Sequence, residues 1–228
     1  MIWALPDDQV ILPHPFTAES EGILAVGGQL TPQILLLAYR FGIFPWYSPG
    51  DPRAWWFTHP RSVLFPSEIH ITKSMNRFRR KSDWRVSIDK SFDQVIAACR
   101  EVSRSDQETT WIQEDITEVF IELHKLGYAH SIEVWDGNEL VGGLYGMAIG
   151  KVFYGESMFT YKSNASKMAL IYLCELLEKR GFYLIDCQQE TDHLNSMGAH
   201  NISAEMFMTH LRRNILWCLE KGDHLFNE

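Results

Sequence analysis

The chain has 228 residues, 46% of them hydrophobic and 13% aromatic, with a formal charge of −8. That is enough apolar material for one domain with an appendage or for two small domains. The acidic balance excludes a protein that coats nucleic acid over its whole surface, but leaves room for a local basic patch.

Residues 1–60 are punctuated by Pro6, Pro13, Pro15, Gly22, Gly27, Gly28 and Pro32, the texture of short elements joined by turns. ILAVGGQL reads as a strand ending in a glycine turn. Thr31-Pro32 then opens a helix, with Thr at the N-cap and Pro at the first helical position, and QILLLAYRFG runs to a glycine stop. In IFPWYSPGDPRAWWF the rings of Phe44, Trp46, Tyr47, Trp55, Trp56 and Phe57 gather around turn residues. Such a segment is either a hydrophobic clasp between domains or a platform for a flat ligand such as a base.

The next segment, TKSMNRFRRKSDWR, places Lys73, Arg77, Arg79, Arg80 and Lys81 on a short helix capped by Thr72 or Ser74, with Met75 and Phe78 facing inward. A solvated helix face explains many such runs; against the acidic remainder a phosphate-binding surface is the alternative. A strand is expected over 84–87 and helices over 92–100 and 116–126, the last entered through TTWIQED. From Ala129 onward strands dominate, with a hairpin signal at Asp136-Gly137. Gly142, Gly143 and Gly146 lie close together, which implies a bulge or the close approach of another backbone. A helix over 164–180, the strand FYLIDCQ and a helix over 203–219 complete the chain.

Cys99, Cys174, Cys187 and Cys218 are far apart and form no CxxC, so neither a zinc ribbon nor a thioredoxin motif is supported. The nine histidines offer no metal-ligand spacing, and reduced structural cysteines in a cytoplasmic protein are expected. No apolar run reaches the roughly 18 residues needed to span a bilayer, and MIWALPDDQ has no signal-like character.

Residues 152–189 carry the chemistry. If FYLIDCQ is a regular strand, Asp186 and Gln188 share one face while Ile185 and Cys187 share the other. A carboxylate and an amide at the end of an apolar strand must be hydrogen-bonded if buried, either as a satisfied structural pair or as a polar reaction centre. Hairpin, strand, helix, strand is the core order of acetyltransferase-type folds. Those folds cradle a coenzyme A pyrophosphate with a glycine-rich loop before the helix, where this chain has TYKSNASK without a glycine. That argues against coenzyme A as the acyl carrier.

The motifs GxLAxGGxL (22–30), GIFPWYSPGDP (42–52), WW followed by PR (55–61), TWI (110–112), LHKLGYAHSIEVW (123–135), LVGGLYG (140–146), GESMF (155–159), NASK (164–167) and LIDCQ (184–188) run in order along nearly the whole chain. In them the sequence resembles the leucyl/phenylalanyl-tRNA–protein transferase family. The resemblance implies an α+β chain in two parts. A small N-terminal α/β domain would span 1–61, and an acetyltransferase (GNAT)-like catalytic domain with a mixed, largely antiparallel sheet would span 62–228. It further implies a cytoplasmic, monomeric bacterial enzyme that moves Leu or Phe, and also Met, from aminoacyl-tRNA to proteins beginning with Arg or Lys, marking them for N-end-rule degradation.

In the mechanism the resemblance implies, Asp186 hydrogen-bonds Gln188 and orients its amide oxygen toward the attacking amine. Glu156 would bind the donor's amino group or the acceptor's cationic first residue. Leu144, Phe153, Met158, Leu170 and Ile185 would wall an apolar pocket for the transferred side chain. Trp46 and Trp111 would stack on the terminal adenosine, and Lys73, Arg77, Arg79, Arg80 and Lys81 would meet the tRNA acceptor stem. Because an aminoacyl ester is already activated, no metal or cofactor is expected. Where many relatives have Ser-Arg after GESMF, this chain has Thr160-Tyr161-Lys162, so no donor contact by that Arg is carried over to it. A coenzyme A-dependent N-acetyltransferase of the same fold and a non-catalytic tRNA-binding module are the alternatives.

Overall fold

The structure is a computed structural model that describes residues 2–102, 112–223 and 226. Two sheets organise it. The first is built from β1 (Trp3–Leu5), β2 (Ile23–Gly27), β3 (Phe44–Pro45) and β4 (Ala54–Trp56), in the spatial order β1-β2-β4-β3. Helix α1 (Pro32–Arg40) begins as its sequence predicts: the Thr31 hydroxyl accepts the Ile34 N–H, and Pro32 stands where a missing N–H costs nothing. It buries Ile34, Leu35, Ala38 and Tyr39. The aromatic segment that follows is a pair of short strands and not a loop, with Phe44, Trp55 and Phe57 buried and Trp46, Tyr47 and Trp56 half-buried.

The remaining elements are β5 (Arg61–Leu64), α2 (Lys73–Lys81), β6 (Arg85–Ile88), α3 (Phe92–Glu101), α4 (Glu114–Lys125), β7 (Ala129–Asp136), β8 (Glu139–Ile149), β9 (Val152–Thr160), α5 (Ala165–Lys179), β10 (Leu184–Gln188), α6 (Asp192–Ser196), β11 (His200–Ile202) and α7 (Ala204–Lys221). Their strands form one sheet in the order β11-β5-β10-β9-β8-β7-β6, parallel between β9 and β10 and antiparallel elsewhere. The architecture is therefore α+β with a mixed, largely antiparallel sheet. The long crossover that a parallel pair requires is supplied by α5.

Both faces of this sheet are covered, which is why β7 and β8 read as near-continuous buried runs without alternation. On one face α5 packs Met168, Ile171 and Leu173 against Ile132, Val134, Leu144 and Phe153. On the other, α3 and α4 bring Val95, Ile96 and Phe120 onto Tyr145, Met147 and Tyr154. The same apolar cluster runs on into Leu24 and Trp55 of the first sheet, into Leu35 of α1 and into Ile43 just after it, so the two sheets share a core. The expected boundary at 61/62 falls one residue inside β5.

The glycine cluster in β8 serves both expected purposes. A Cβ on Gly142 would stand 2.4 Å from the Cβ of Ala165, so α5 sits there only because Gly142 has none. The β8–β9 pairing slips between Tyr145 and Gly146. At the far edge, the fully buried Glu133 is satisfied by the Ser87 and Ser131 hydroxyls and by the N–H groups of Lys90 and Ser91. That array ties β6 and the entry to α3 onto β7.

Candidate active site

Two events in the sheet create the site. The parallel pairing of β9 with β10 runs from Leu184–Val152 through Asp186–Tyr154 and stops. Beyond it β9 stays with β8, while β10 remains on β5, so the strands diverge from Gly155 and Cys187 onward. The second event is a pair of irregularities at that fork. Across β8 and β9, Tyr145 faces Ser157 and Gly146 faces Gly155, which leaves Glu156 as the extra residue of a bulge. Across β10 and β5, Asp186 faces Val63 but Gln188 faces Ser62, and Gln188 takes a left-handed backbone with φ of 57°. The simple alternation expected through LIDCQ therefore ends at Asp186.

Asp186 is fully buried and its partner is Arg61, not the Gln188 carboxamide. Arg61 Nε donates to Oδ1 at 2.7 Å and Nη2 to Oδ2 at 2.7 Å, and neither side chain is exposed to solvent. This two-pronged geometry satisfies both carboxylate oxygens, the condition under which a buried ion pair holds. The bond between Asp186 and Gln188 does exist, but it runs from the Gln188 backbone N–H to Oδ1 at 3.0 Å. The expectation that Asp186 polarises the amide side chain is corrected on this point. A regular strand presents side chains; the bulge presents an N–H instead. The Gln188 carboxamide is half-buried, and among the described residues its Nε2 has no hydrogen-bond partner.

Glu156 lies on β9 near the same ion pair, in different surroundings. Its Oε1 accepts a 2.7 Å hydrogen bond from the hydroxyl of Tyr39, which reaches over from α1. Burial pushes the Glu156 carboxyl up to about 8; the Asp186 charge adds to the rise, while the Tyr39 bond and Arg61 oppose it. The Tyr39 hydroxyl is driven well above its ordinary value, first by its own burial and then by the Glu156 charge. It therefore remains a donor. The fully buried Tyr154, which meets Tyr39 edge-on at 5.0 Å, keeps a hydroxyl with no hydrogen-bond partner among the described residues.

The structure brings Leu144, Phe153, Met158, Leu170 and Ile185 into one cluster, on the α5 side of the sheet. Four are buried and Met158 is partly open. Ile185 also borders the fork, because a Cβ on Gly155 would touch its Cγ2 at 3.6 Å. Trp46 is half-buried and packs on Trp56 at 5.4 Å, and Trp111 lies outside the described residues. On α2, Lys73, Arg77, Arg80 and Lys81 are exposed, whereas Arg79 pairs with Glu175 of α5 at 2.8 Å. Lys162, from the stretch that departs from Ser-Arg, is tied to Asp136 and Glu139 of the β7–β8 hairpin.

Sequence reasoning left Arg61, Thr58 and Tyr39 without roles. Arg61 and Thr58 stand inside the WW-to-PR motif, and Tyr39 occupies an apolar helix position where a polar-tipped ring needs a partner. In each case the residue was visible and the partner across the fold was not.

A GCN5-related N-acetyltransferase from Kribbella flavida superposes with a TM-score of 0.38 and 10% identity, covering 78% of this chain and 63% of that one. The leucyl/phenylalanyl-tRNA–protein transferase of Syntrophobacter fumaroxidans is 52% identical over 91% of this chain and 89% of its own length. The corresponding protein of Syntrophus aciditrophicus is 51% identical over 90% of this chain and 86% of its own. Residues 63–212 match the family model described as leucyl/phenylalanyl-tRNA protein transferase, and residues 28–59 match the model of its N-terminal domain. The chain belongs to the leucyl/phenylalanyl-tRNA–protein transferase family.

Proposed function

We propose that this chain transfers Leu or Phe, and also Met, from aminoacyl-tRNA to the α-amine of proteins that begin with Arg or Lys. It would act as a cytoplasmic monomer and mark those proteins for degradation. The observation that carries this reading is the fork between β9 and β10, where Glu156, hydrogen-bonded to Tyr39, follows Gly155, whose missing side chain leaves the strand open against Ile185 of the apolar cluster.

The donor ester is already activated, so the protein's contribution is positioning, worth several kcal/mol of the barrier when it is precise. The acceptor α-amine has an ordinary pKa of about 7.7–8.0, so a useful share is neutral near neutral pH. Glu156 would receive the acceptor's cationic first residue or the donor's amino group. A cation arriving beside it draws the carboxyl back to its ionised form, so binding below pH 8 releases a proton. Leu144, Phe153, Met158, Leu170 and Ile185 would hold the transferred side chain. Apolar walls discriminate by only about 1–3 kcal/mol per methylene, which suits acceptance of both Leu and Phe.

Gln188 would contact the reacting groups. Its orphaned Nε2 supports this, because a buried donor without a partner is a cost that a bound carbonyl oxygen removes. The exposed cations of α2 would meet the acceptor stem, with Trp46 and Trp111 at the terminal base. We place the catalytic part in residues 62–228, with 1–61 contributing Tyr39, Thr58 and Arg61.

Incubation with charged leucyl-tRNA and a protein starting with Arg, followed by mass measurement of its N terminus, tests the reading. Gain of one leucyl residue is expected. No gain from leucyl-, phenylalanyl- or methionyl-tRNA, with either an Arg or a Lys N terminus, would discard it.

A further inference from the structure

Gln188 is held by its backbone. Its N–H donates to Asp186 Oδ1 at 3.0 Å, and its C=O accepts from the Thr58 hydroxyl at 3.0 Å. Thr58 and Asp186 are joined in turn by Arg61, which sends Nη1 to Thr58 Oγ1 at 3.3 Å and two further N–H groups to the carboxylate. The ring is closed: one guanidinium, one hydroxyl and one carboxylate grip both peptide groups of a single residue. Arg61 is itself boxed by Phe207, Phe44 and Phe57, whose centroids lie 4.6, 4.9 and 5.9 Å from its Cζ. A Cβ on Gly42 would stand 2.6 Å from the Phe207 ring, so the box closes only because a glycine follows α1.

A glutamine at φ of 57° is strained, because its Cβ crowds the following carbonyl oxygen there. A buried ion pair is a poor way to gain stability alone, since apolar residues of equal volume do as well. Geometry is what this one supplies. We propose that Thr58 and Arg61 are positioning residues for the transfer step: acting with Asp186, they lock Gln188 in its left-handed turn and fix where its carboxamide meets the reacting groups. This rests on the reading of Gln188 as a substrate contact. It also makes Asp186 a positioning residue, because its charge is matched by Arg61 and both its oxygens are engaged.

The test is Thr58→Val, which keeps the shape and removes the hydroxyl, read beside Thr58→Ser, which restores it. Steady-state transfer from leucyl-tRNA to an Arg-starting peptide is measured with both substrates varied. The expected result is a kcat about five- to tenfold lower in Thr58→Val, the worth of about one hydrogen bond. KM for both substrates should stay within twofold, and Thr58→Ser should recover kcat. Should Thr58→Val fail to fold, Thr58→Ala, which only removes atoms, is read in the same way. An unchanged kcat, a loss expressed in KM alone, or a loss that Ser does not recover overturns the proposal. If the unaltered protein transfers nothing, it is the functional reading that has failed.

Discussion

Asp186 and Glu156 sit on adjacent strands of one fork, and their neighbourhoods are opposites. Asp186 has a guanidinium across both oxygens, three aromatic rings around that guanidinium and no exposure. Glu156 is partly open, has a tyrosine for a partner and is pushed up to about 8 chiefly by burial. A buried charge with a matched partner is fixed in place. One without such a partner is adjustable, and its state follows whatever enters the site.

The sharpest way to break this contrast is to remove Arg61. Arg61→Ala leaves the Asp186 charge buried without its partner and should cost roughly 3–5 kcal/mol in folding stability. Asp186→Ala should cost a similar amount for the mirror reason. The pair should be strongly coupled: replacing both by apolar residues of similar volume should recover most of the loss. Urea unfolding near neutral pH measures all three. Single variants that unfold with the midpoint of the unaltered protein would show that the pair carries no such burden.

Glu156 predicts a smaller effect with a pH signature. Its folded-state value, about 8, lies above the ordinary value for Glu. Stability contributed by its proton is therefore complete below about pH 4.3 and is lost as pH rises through 8. Glu156→Gln should flatten the stability profile between pH 5 and 8 by roughly 2–3 kcal/mol relative to the unaltered protein. The same substitution should raise KM for an Arg-starting acceptor, because a neutral amide cannot pair with a cation. Denaturation midpoints that fall equally in both proteins over that range would place the titrating group elsewhere.

Much of the fold was legible because it is local. Thr31-Pro32 and Thr72 announce their helices, Asp136-Gly137 its hairpin, and the glycines of β8 the close approach of α5. The short strands β1, β4, β5 and β11 were not legible, because three- and four-residue strands have no period to detect and exist only through their neighbours. The site divides in the same way. Glu156, Asp186 and Gln188 stood out as residue types, and the apolar five gather in one cluster. The partners did not stand out. Arg61 lies 125 residues from Asp186 and Tyr39 lies 117 from Glu156. The bulge that exchanges a side-chain contact for a backbone one depends on where β10 leaves β9, which no spacing within LIDCQ encodes.

The same distinction between matched and unmatched charge makes the smallest prediction, on α2. Arg77, Arg80 and Lys81 project into solvent, while Arg79 already faces Glu175 at 2.8 Å. If this helix meets the acceptor stem, each exposed cation displaces counterions on binding. Replacing one by Ala should flatten the dependence of log K on log salt by about 0.7–0.9 per lost contact, weakening all tRNAs alike. Arg79 must first leave its carboxylate, an exchange worth well under 1 kcal/mol at a surface, so Arg79→Ala should change the slope least. Filter binding of leucyl-tRNA across a salt series measures both. An unchanged slope after replacing Arg77, Arg80 and Lys81 together would remove α2 from the tRNA path, and a slope that responds most to Arg79 would mean that tRNA displaces Glu175.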